Sequence, residues 1–566
     1  MAPVPAPSRI LDAAGRPMVP AAPAGKPRPR ADGNGYWPPT EMAPNSVFPY
    51  DAAQWQTAEM GEWLPWIRSP DAEINIFRDR MVARNRDLAR NDGWASGGIT
   101  RILDNTVGAS FRLAANPDYR ALAAQTGIGG FDATWADEFR RTAEALWRGF
   151  ADDIGRYNDV TRQLTVSQQF RLSLRHKLVD GDALAVVYWM PERVGRGAAN
   201  YATSFLVVDP DRLSNPQQMV DTKYLRGGVE IDDDGVPIAY HIRKAHQNDW
   251  YNAVESMEWV RVPREEGNDG WRRVIHDFER DRAGQNRGIG VFTPVLARLK
   301  MLARYYGVEL QAATVASIFG TYVTSPFDKQ LIEEAIAPAD QEGMSFYQSL
   351  RGDWHDKRPA ILNGVVVPTL APGEEITSVA AAHPHDGFGE FAHEMLRAVA
   401  AALGVSAEQI TQDWSKTNYS SARAALLESW KTLTRRRDEF VAGFATPFYA
   451  AWLHEAMDNG ELPLPAGAPD YVEARTGYSR CGWLGPGRGW IDPVKEKQGA
   501  VLGMDAGLST LKAECAQNEG RDWEEVMDQR AIELKRFDKL GIPRPTWAGM
   551  QDATKAATPP EQPEAQ

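Results

Sequence analysis

The sequence predicts an α+β chain of several parts, in which long helices bracket a small mixed segment, and three observations carry that reading. Residues 293–323 (TPVLARLKMLARYYGVELQAATVASIFGTYV) form one helical pattern, with Pro294 suited to a first turn, Thr293 to capping, and no further proline before Pro326. After a shorter region over 324–380 with the strand-like run AILNGVVVPTL, two more helical stretches follow, Phe388–Leu403 and Ala422 to about Met457. Upstream, GGVEIDDDGVPIAYHIRK sets two alternating segments around Asp234-Gly235, a dipeptide that accepts the positive φ of a tight hairpin turn.

At 566 residues the chain exceeds the size at which one hydrophobic core keeps growing. A hydrophobic fraction of 43% places it among ordered proteins. Its 19 Trp fit either large interfaces or a Trp-rich core. Residues 1–45 and 543–566 are rich in Pro and Ala and read as flexible ends. The first of these has no apolar run followed by a cleavage site, and no run of eighteen apolar residues occurs anywhere, so neither a secretory signal nor a membrane span is expected. Cys481 and Cys515 form no metal-binding pair, and a reducing cytoplasm is the expected place of synthesis and assembly.

Between the ends, residues 73–91 read as a charged surface helix with one packed face, Ile74, Ile76, Phe77, Met81 and Leu88. The following GWASGGITRIL reads as a glycine turn leading into a second helix. Trp135, Phe139, Leu146, Trp147 and Phe150 repeat every three or four residues, the spacing of a buried helical face. Residues 162–178 continue as helix, and LAVVYWM after Gly181-Asp182-Ala183 reads as a buried strand. The helix from Thr293 ends in small residues (Ala312, Ala313, Ala316), a surface that packs closely against a neighbouring helix. Gly404 breaks the helix over Phe388–Leu403. The polar stretch 405–421 follows, with Ser420 or Ser421 placed to cap the next helix.

Tests for chemistry come out negative. There is no G-x-x-x-x-G-K-[ST] phosphate loop, and neither GQNRGIG nor GPGRG is a dinucleotide fingerprint. No G-x-S-x-G elbow occurs either. Asp232, Asp233 and Asp234 lack the alternating ligands and distal Glu of a calcium loop. His383, His385 and His393 match no zinc spacing, and His276 reads as a strand-end histidine bonded within the fold. No enzyme, cofactor or metal is expected. A formal charge of −13, from 63 basic and 76 acidic residues, argues against a protein that grips DNA along its whole surface, while leaving local contacts open. Between Asp413 and Arg437 basic residues outnumber acidic ones, with Arg435, Arg436 and Arg437 read as a solvated helix face. Trp414, Lys416 and Tyr419 lie on a loop able to touch phosphates without reading bases.

Four segments, in order, resemble the lambda-type phage portal family: GGVEIDDDGVPIAYHI, VIHDFERDRAGQNRGIGVFTPVLARLKML, LGVSAEQITQDWSKTNYSSARAALLESW and WLGPGRGWIDPVKEKQGAVLGMD with its continuation to Ile542. The resemblance implies a portal fold: wing over 46–292 and 422–459, stem helices over 293–323 and 381–404, clip over 324–380, channel loop over 405–421 and crown over 460–542. It implies a ring, typically of twelve subunits, at the capsid vertex of the virion, conducting double-stranded DNA without sequence specificity. Implied partners are the terminase large subunit, capsid and scaffold proteins and head-tail connectors. An N-terminal segment can be lost in such proteins during head maturation. Channel-loop candidates are Trp414, Lys416, Asn418, Tyr419 and Arg423. A head-tail or baseplate adaptor ring, or a DNA-processing enzyme, are the competing readings.

Overall fold

A computed structural model describes residues 62–267, 270–318, 387–415 and 417–543, with four short strands between 321 and 378. The chain divides into two units, Met1–Ile67 and Arg68–Gln566. Of the first, residues 62–67 are described, an exposed stretch without helix or strand. The expected arm 1–45, tail residues 544–566, most of 324–380, His383, His385 and Lys416 lie outside the described residues.

The second unit opens with helices α1 (Pro70–Asn91) and α2 (Gly93–Thr106). The glycine turn expected between them is absent, because Asp92 caps α2 directly by accepting from the Ala95 amide at 2.8 Å. Strand β1 (Arg112–Ala115) and helices α3 (Tyr119–Thr126), α4 (Ala133–Ala151) and α5 (Val166–Val179) follow. Thr165 and Gln168 form a reciprocal capping box at the start of α5. Strands β2 (Asp182–Trp189), β3 (Thr203–Val208), β4 (Leu225–Arg226), β5 (Val229–Ile231), β6 (Pro237–Arg243), β7 (Trp259–Pro263), β8 (Glu265–Glu266), β9 (Trp271–Arg272) and β10 (Val274–Phe278) make up the β-rich part.

Strand β2 lies between β10 and β3 in an antiparallel sheet and is buried on both faces. Its period of two therefore divides the core. Ala183, Ala185 and Val187 join a large aromatic cluster under α4 and α5, while Leu184 and Val186 face a second cluster with Val229, Tyr240 and Val262 of the β4–β7 sheet. The Asp234-Gly235 hairpin forms between β5 and β6, with Gly235 at φ +83° and the Asp232 carboxylate accepting from the amides of Asp234 and Val236. The Asp232 carboxylate is thus occupied in building the turn.

Helix α6 (Leu296–Ile318) follows a 3-10 turn over Thr293–Val295, and the Thr293 hydroxyl bonds the Gly290 carbonyl rather than capping the helix. The helix ends earlier than the expected Val323, because Thr321–Thr324 forms strand β11. β11 pairs antiparallel with β14 (Glu375–Ser378), and β12 (Ala360–Leu362) with β13 (Val365–Val367). Helix α7 spans Phe388–Leu403, followed by α8 (Ala407–Thr411) and α9 (Tyr419–Phe440). The expected single helix from Ala422 to Met457 is interrupted by a π-helical turn, Val441–Ala445, before α10 (Thr446–Asp458). There Gly443 packs against the Asp277 carboxylate, a space that a Cβ would fill. The chain closes with α11 (Tyr471–Tyr478), β15 (Cys481–Leu484, antiparallel to β1), α12 (Pro493–Asp505), α13 (Leu511–Glu514) and α14 (Trp523–Leu540).

The Trp content resolves in both directions. Trp135, Trp147, Trp452 and Trp483 are buried, with Trp147 and Trp452 rings 5.3 Å apart and Phe205 stacked on Phe448 at 3.9 Å. Trp189 and Trp250 are exposed.

A buried polar hub ties α1 to the β-rich part. Asp182 has no exposed surface, and its carboxylate accepts from Arg78 (2.7 Å), Arg287 (2.9 Å), the Gly288 amide (2.7 Å) and, at 3.1 Å, faces the His276 ring. Arg287 donates further to the carbonyls of Pro210, Leu213 and Gly227. His276 is therefore the structural residue its sequence context suggested. Burial lowers its pKa below the ordinary 6.5, despite Asp182 beside it.

Glu144 of α4 accepts from the Ala115 amide and pairs with Arg140 at 3.3 Å. Burial pushes its carboxyl up from 4.5 to about 7, opposed by Arg140 and reinforced by Asp522. Because the folded pKa lies above the unfolded one, the folded state binds the extra proton between these values, and stability falls as pH rises from about 4.5 to 7. Glu144→Gln is expected to raise stability at pH above 7 by on the order of 1–3 kcal/mol and to do little at the acid end of that window. Thermal unfolding at the two pH extremes checks this.

Candidate DNA-channel loop

The loop is built from its two flanking helices. α7 buries Ala392, Leu396, Val399, Ala400 and Leu403, while Phe391 is exposed. Gly404 ends α7 in the left-handed region at φ +68°, where a Cβ would also lie 2.6 Å from the Thr432 methyl group of α9. Chain reversal is thus fixed against the very helix that follows the loop. Ser406 and Gln409 form a capping box that starts α8, and Ile410 is buried beneath it. Gln412 then adopts φ +56°, a left-handed conformation uncommon for a side chain of this size, and turns the chain outward.

The candidate residues do not behave alike. Trp414 is 37% exposed, and its carbonyl accepts from the Thr417 amide at 3.1 Å. Asn418 is the N-cap of α9: its side-chain oxygen accepts from the Ser421 amide at 2.9 Å and from the Ser421 hydroxyl at 2.8 Å. Capping by Asn418 replaces the cap expected from Ser420 or Ser421. Tyr419 begins α9. Arg423, half exposed, lies 3.7 Å from the Glu496 carboxylate of α12. Lys416 lies outside the described residues.

The basic excess between Asp413 and Arg437 is therefore not one patch. Lys431 pairs with Glu428, and Arg435 with Glu279 and Glu439. Arg436 and Arg437 overturn the expectation of a solvated face. Arg436 donates to the Leu403 carbonyl at 2.6 Å, the last of α7, and Arg437 to the carbonyls of Asn105, Thr106 and Pro486 at 2.7–3.0 Å. The carbonyls of Leu403, Asn105 and Thr106 are orphan carbonyls of two helix C-termini, where a cation is favoured. Burial lowers the pKa of both guanidiniums.

Exposed cations that the sequence reading did not single out stand on α6: Arg298, Lys300 and Arg304 make no ion pair with any described residue. Only their i, i+4 spacing (Lys300 and Arg304) could have flagged them. His176, Asp180 and Asp209 lie close enough together to suggest a metal, but Arg86 already bridges Asp180, Asp209 and Asp211 at 2.6–2.7 Å and supplies the positive charge there.

Against known proteins, the profile described as "Phage portal protein, lambda family" matches residues 56–437. The chain belongs to the lambda family of phage portal proteins. It is 32% identical over 495 residues to portal protein B of Escherichia phage lambda, covering 87% of this chain and 90% of that one. It is also 32% identical over 491 residues to the portal protein of Escherichia phage N15, covering 86% and 89% respectively. Among solved structures, the neck of an empty gene transfer agent particle aligns over 81% of this chain and 94% of that one, with 14% identity and a TM-score of 0.39. Portal proteins of this family are structural components of the phage particle, in keeping with the missing enzyme motifs. The family match runs from upstream of α1 through the loop and to the end of the arginine run in α9.

Proposed function

We propose that twelve copies of this portal protein form the ring at a single capsid vertex through which double-stranded DNA passes during packaging and ejection. In this reading 46–292 and 422–459 are wing, 293–323 and 381–404 stem, 324–380 clip, 405–421 channel loop and 460–542 crown. The terminase large subunit docks at the clip, and the capsid, scaffold and head-tail connector proteins are further partners of the ring.

The observation that carries the reading is the arrangement around residues 405–418. A polar loop with a half-exposed Trp414 is held between two helices, and Arg436 and Gly404 pin those helices to each other. Such a loop presents a few groups to the sugar-phosphate backbone without any base-reading element. Repeated around a ring, weak contacts of this kind guide DNA while letting it slide, because each neutralised phosphate adds only a small salt-dependent increment. The net charge of −13 limits unspecific grip elsewhere.

Two measurements test this. Mass photometry and projection images along the ring axis are expected to show a closed ring with a central bore; a strictly monomeric protein at micromolar concentration would overturn it. Lys416→Ala and Trp414→Ala are expected to lower DNA retention in filled heads while rings still assemble. Unchanged DNA content in both would remove the loop from the contact set.

A further inference from the structure

The C-terminal helix α14 is attached to the rest of its unit in an unusual way. Just before it, the π-helical turn Cys515–Glu519 is clamped: the amides of Arg488 and Gly489 donate to the carbonyls of Gln517 and Asn518 at 2.8 and 3.1 Å. Gly520, at φ +66°, packs so closely there that a Cβ would lie 2.7 Å from the Gly485 carbonyl oxygen. Beyond this fixed point none of the eighteen residues of α14 is buried, and Met527, Ile532 and Leu540 are exposed. Apolar burial, the usual reason a helix docks, is not what holds it.

Charge holds it instead. Glu524 pairs with Arg140 at 2.5 Å and with Arg141 at 3.5 Å, and Glu525 with Arg112 at 2.7 Å and Arg148 at 2.9 Å. The arginines come from β1 and from residues 140–148 of α4, and they line a cleft of about 490 Å³ together with Glu144, Asp522, Glu524, Glu525 and Asp528. Arg112, Arg141 and Arg148 remain more than half exposed. The pairs made by these three arginines are weak and screened by salt, whereas Arg140, 11% exposed, is also held within α4 by Asp137 at 2.7 Å and Glu144 at 3.3 Å. Three exposed guanidiniums beside the partly engaged Arg140 are otherwise a phosphate-binding arrangement, since their planar forks match phosphate oxygens as well as carboxylates. The carboxylates of Glu524 and Glu525, each bridging two arginines, stand where phosphates would.

We infer that Arg112, Arg140, Arg141 and Arg148 form a phosphate-binding surface for duplex DNA, which the acidic first turn of α14 masks, so that α14 and DNA compete for it. The choice of DNA over another polyanion rests on the channel reading above, which brings duplex DNA to this protein. An acidic protein segment is the alternative ligand, and the test separates it.

The experiment uses the full-length assembled protein. In Glu524→Gln/Glu525→Gln, hydrogen exchange across 523–540 is expected to rise about tenfold, and affinity for a labelled mixed-sequence duplex about fivefold or more, with a steeper salt dependence. Adding Arg112→Gln/Arg148→Gln to that variant is expected to return DNA affinity to the starting level while α14 stays released. Unchanged exchange in the first variant would show that the ion pairs do not hold α14. Raised exchange with unchanged DNA affinity would show that no phosphate surface lies beneath, and a gain that survives loss of the arginines would trace it to lost negative charge alone. An equal gain for polyglutamate would assign the surface to acidic protein segments. Each of the last three outcomes also overturns the proposal. The duplex assay needs no packaging, so its failure is separable from failure of the channel reading, which the loop variants report.

Discussion

Asp182→Asn is expected to destabilise the core of the β-rich part by roughly 3–5 kcal/mol, the cost of leaving buried charge without its partner. Asparagine keeps the shape but only one acceptor, so its amide nitrogen meets either the guanidinium N–H groups or the Gly288 amide, and the loss combines the charge with a donor facing a donor. In the native protein one carboxylate faces two guanidiniums, and the side chains of Arg78 and Arg287 are 5% and 2% exposed. With Asp182 neutral, both cations stay enclosed, and Arg287 cannot leave, because it also donates to three backbone carbonyls. Burial alone would raise the pKa of Asp182, but the two arginines and His276 outweigh it and hold the carboxyl well below the usual carboxylate range. A depressed folded pKa contributes stability that is present above the unfolded value, about 4, and is lost as pH falls through the folded one. His276 adds to the acid side: its lowered pKa means the unfolded chain takes up a proton below about 6.5 that the buried ring refuses. Urea unfolding of Asp182→Asn and of Asp182→Asn/Arg78→Met across pH 4–8 checks the account. The double variant, which removes one stranded cation, should recover part of the loss; equal stability of Asp182→Asn and the native protein would refute the hub.

What sequence reasoning could and could not see follows from the range of the forces involved. The face Trp135, Phe139, Trp147 and Phe150 was legible because burial repeats with the helix, and β2 because the short run LAVVYW after Gly181 is rich in β-branched and aromatic residues. The helix over Phe388–Leu403 was legible to its ends, since Gly404 marks the stop. The Asp182 hub was not, because Arg78 and Arg287 reach it across 104 and 105 residues of chain and nothing in their local context marks them. The π turn in the long helix was hidden for a similar reason: it answers to Asp277 of β10, not to its own residues. Of the loop candidates, Asn418 illustrates the ambiguity of polar residues before a helix, where capping competes with any outward role. Charge counting failed most clearly at Arg435–Arg437, three adjacent cations with three different environments.

That failure yields the sharpest contrast between neighbouring residues. Arg437→Ala is expected to cost roughly 3–4 kcal/mol, because three backbone carbonyls lose a charged donor at once and have little access to water. Two of them, Asn105 and Thr106, are the terminal carbonyls of α2, and the third belongs to Pro486 in the turn that clamps Gly520. The guanidinium also lies over the Trp430 ring, 5.3 Å from its centroid. Arg437→Lys should recover less than half, since an ammonium cannot span three acceptors with a fixed fork. Arg435→Ala, two positions away and half exposed between Glu279 and Glu439, should change stability by less than about 1 kcal/mol. Chemical denaturation gives the global cost, and hydrogen exchange places it: protection should fall in 419–440 and 485–489 for Arg437→Ala and in neither for Arg435→Ala. Because α9 carries the loop at its N-terminus, the same variant should lower DNA retention in filled heads even though residue 437 lies some five turns from the loop. Loss of protection in α9 with full DNA retention would mean that the loop is positioned by α7 and Gly404 alone.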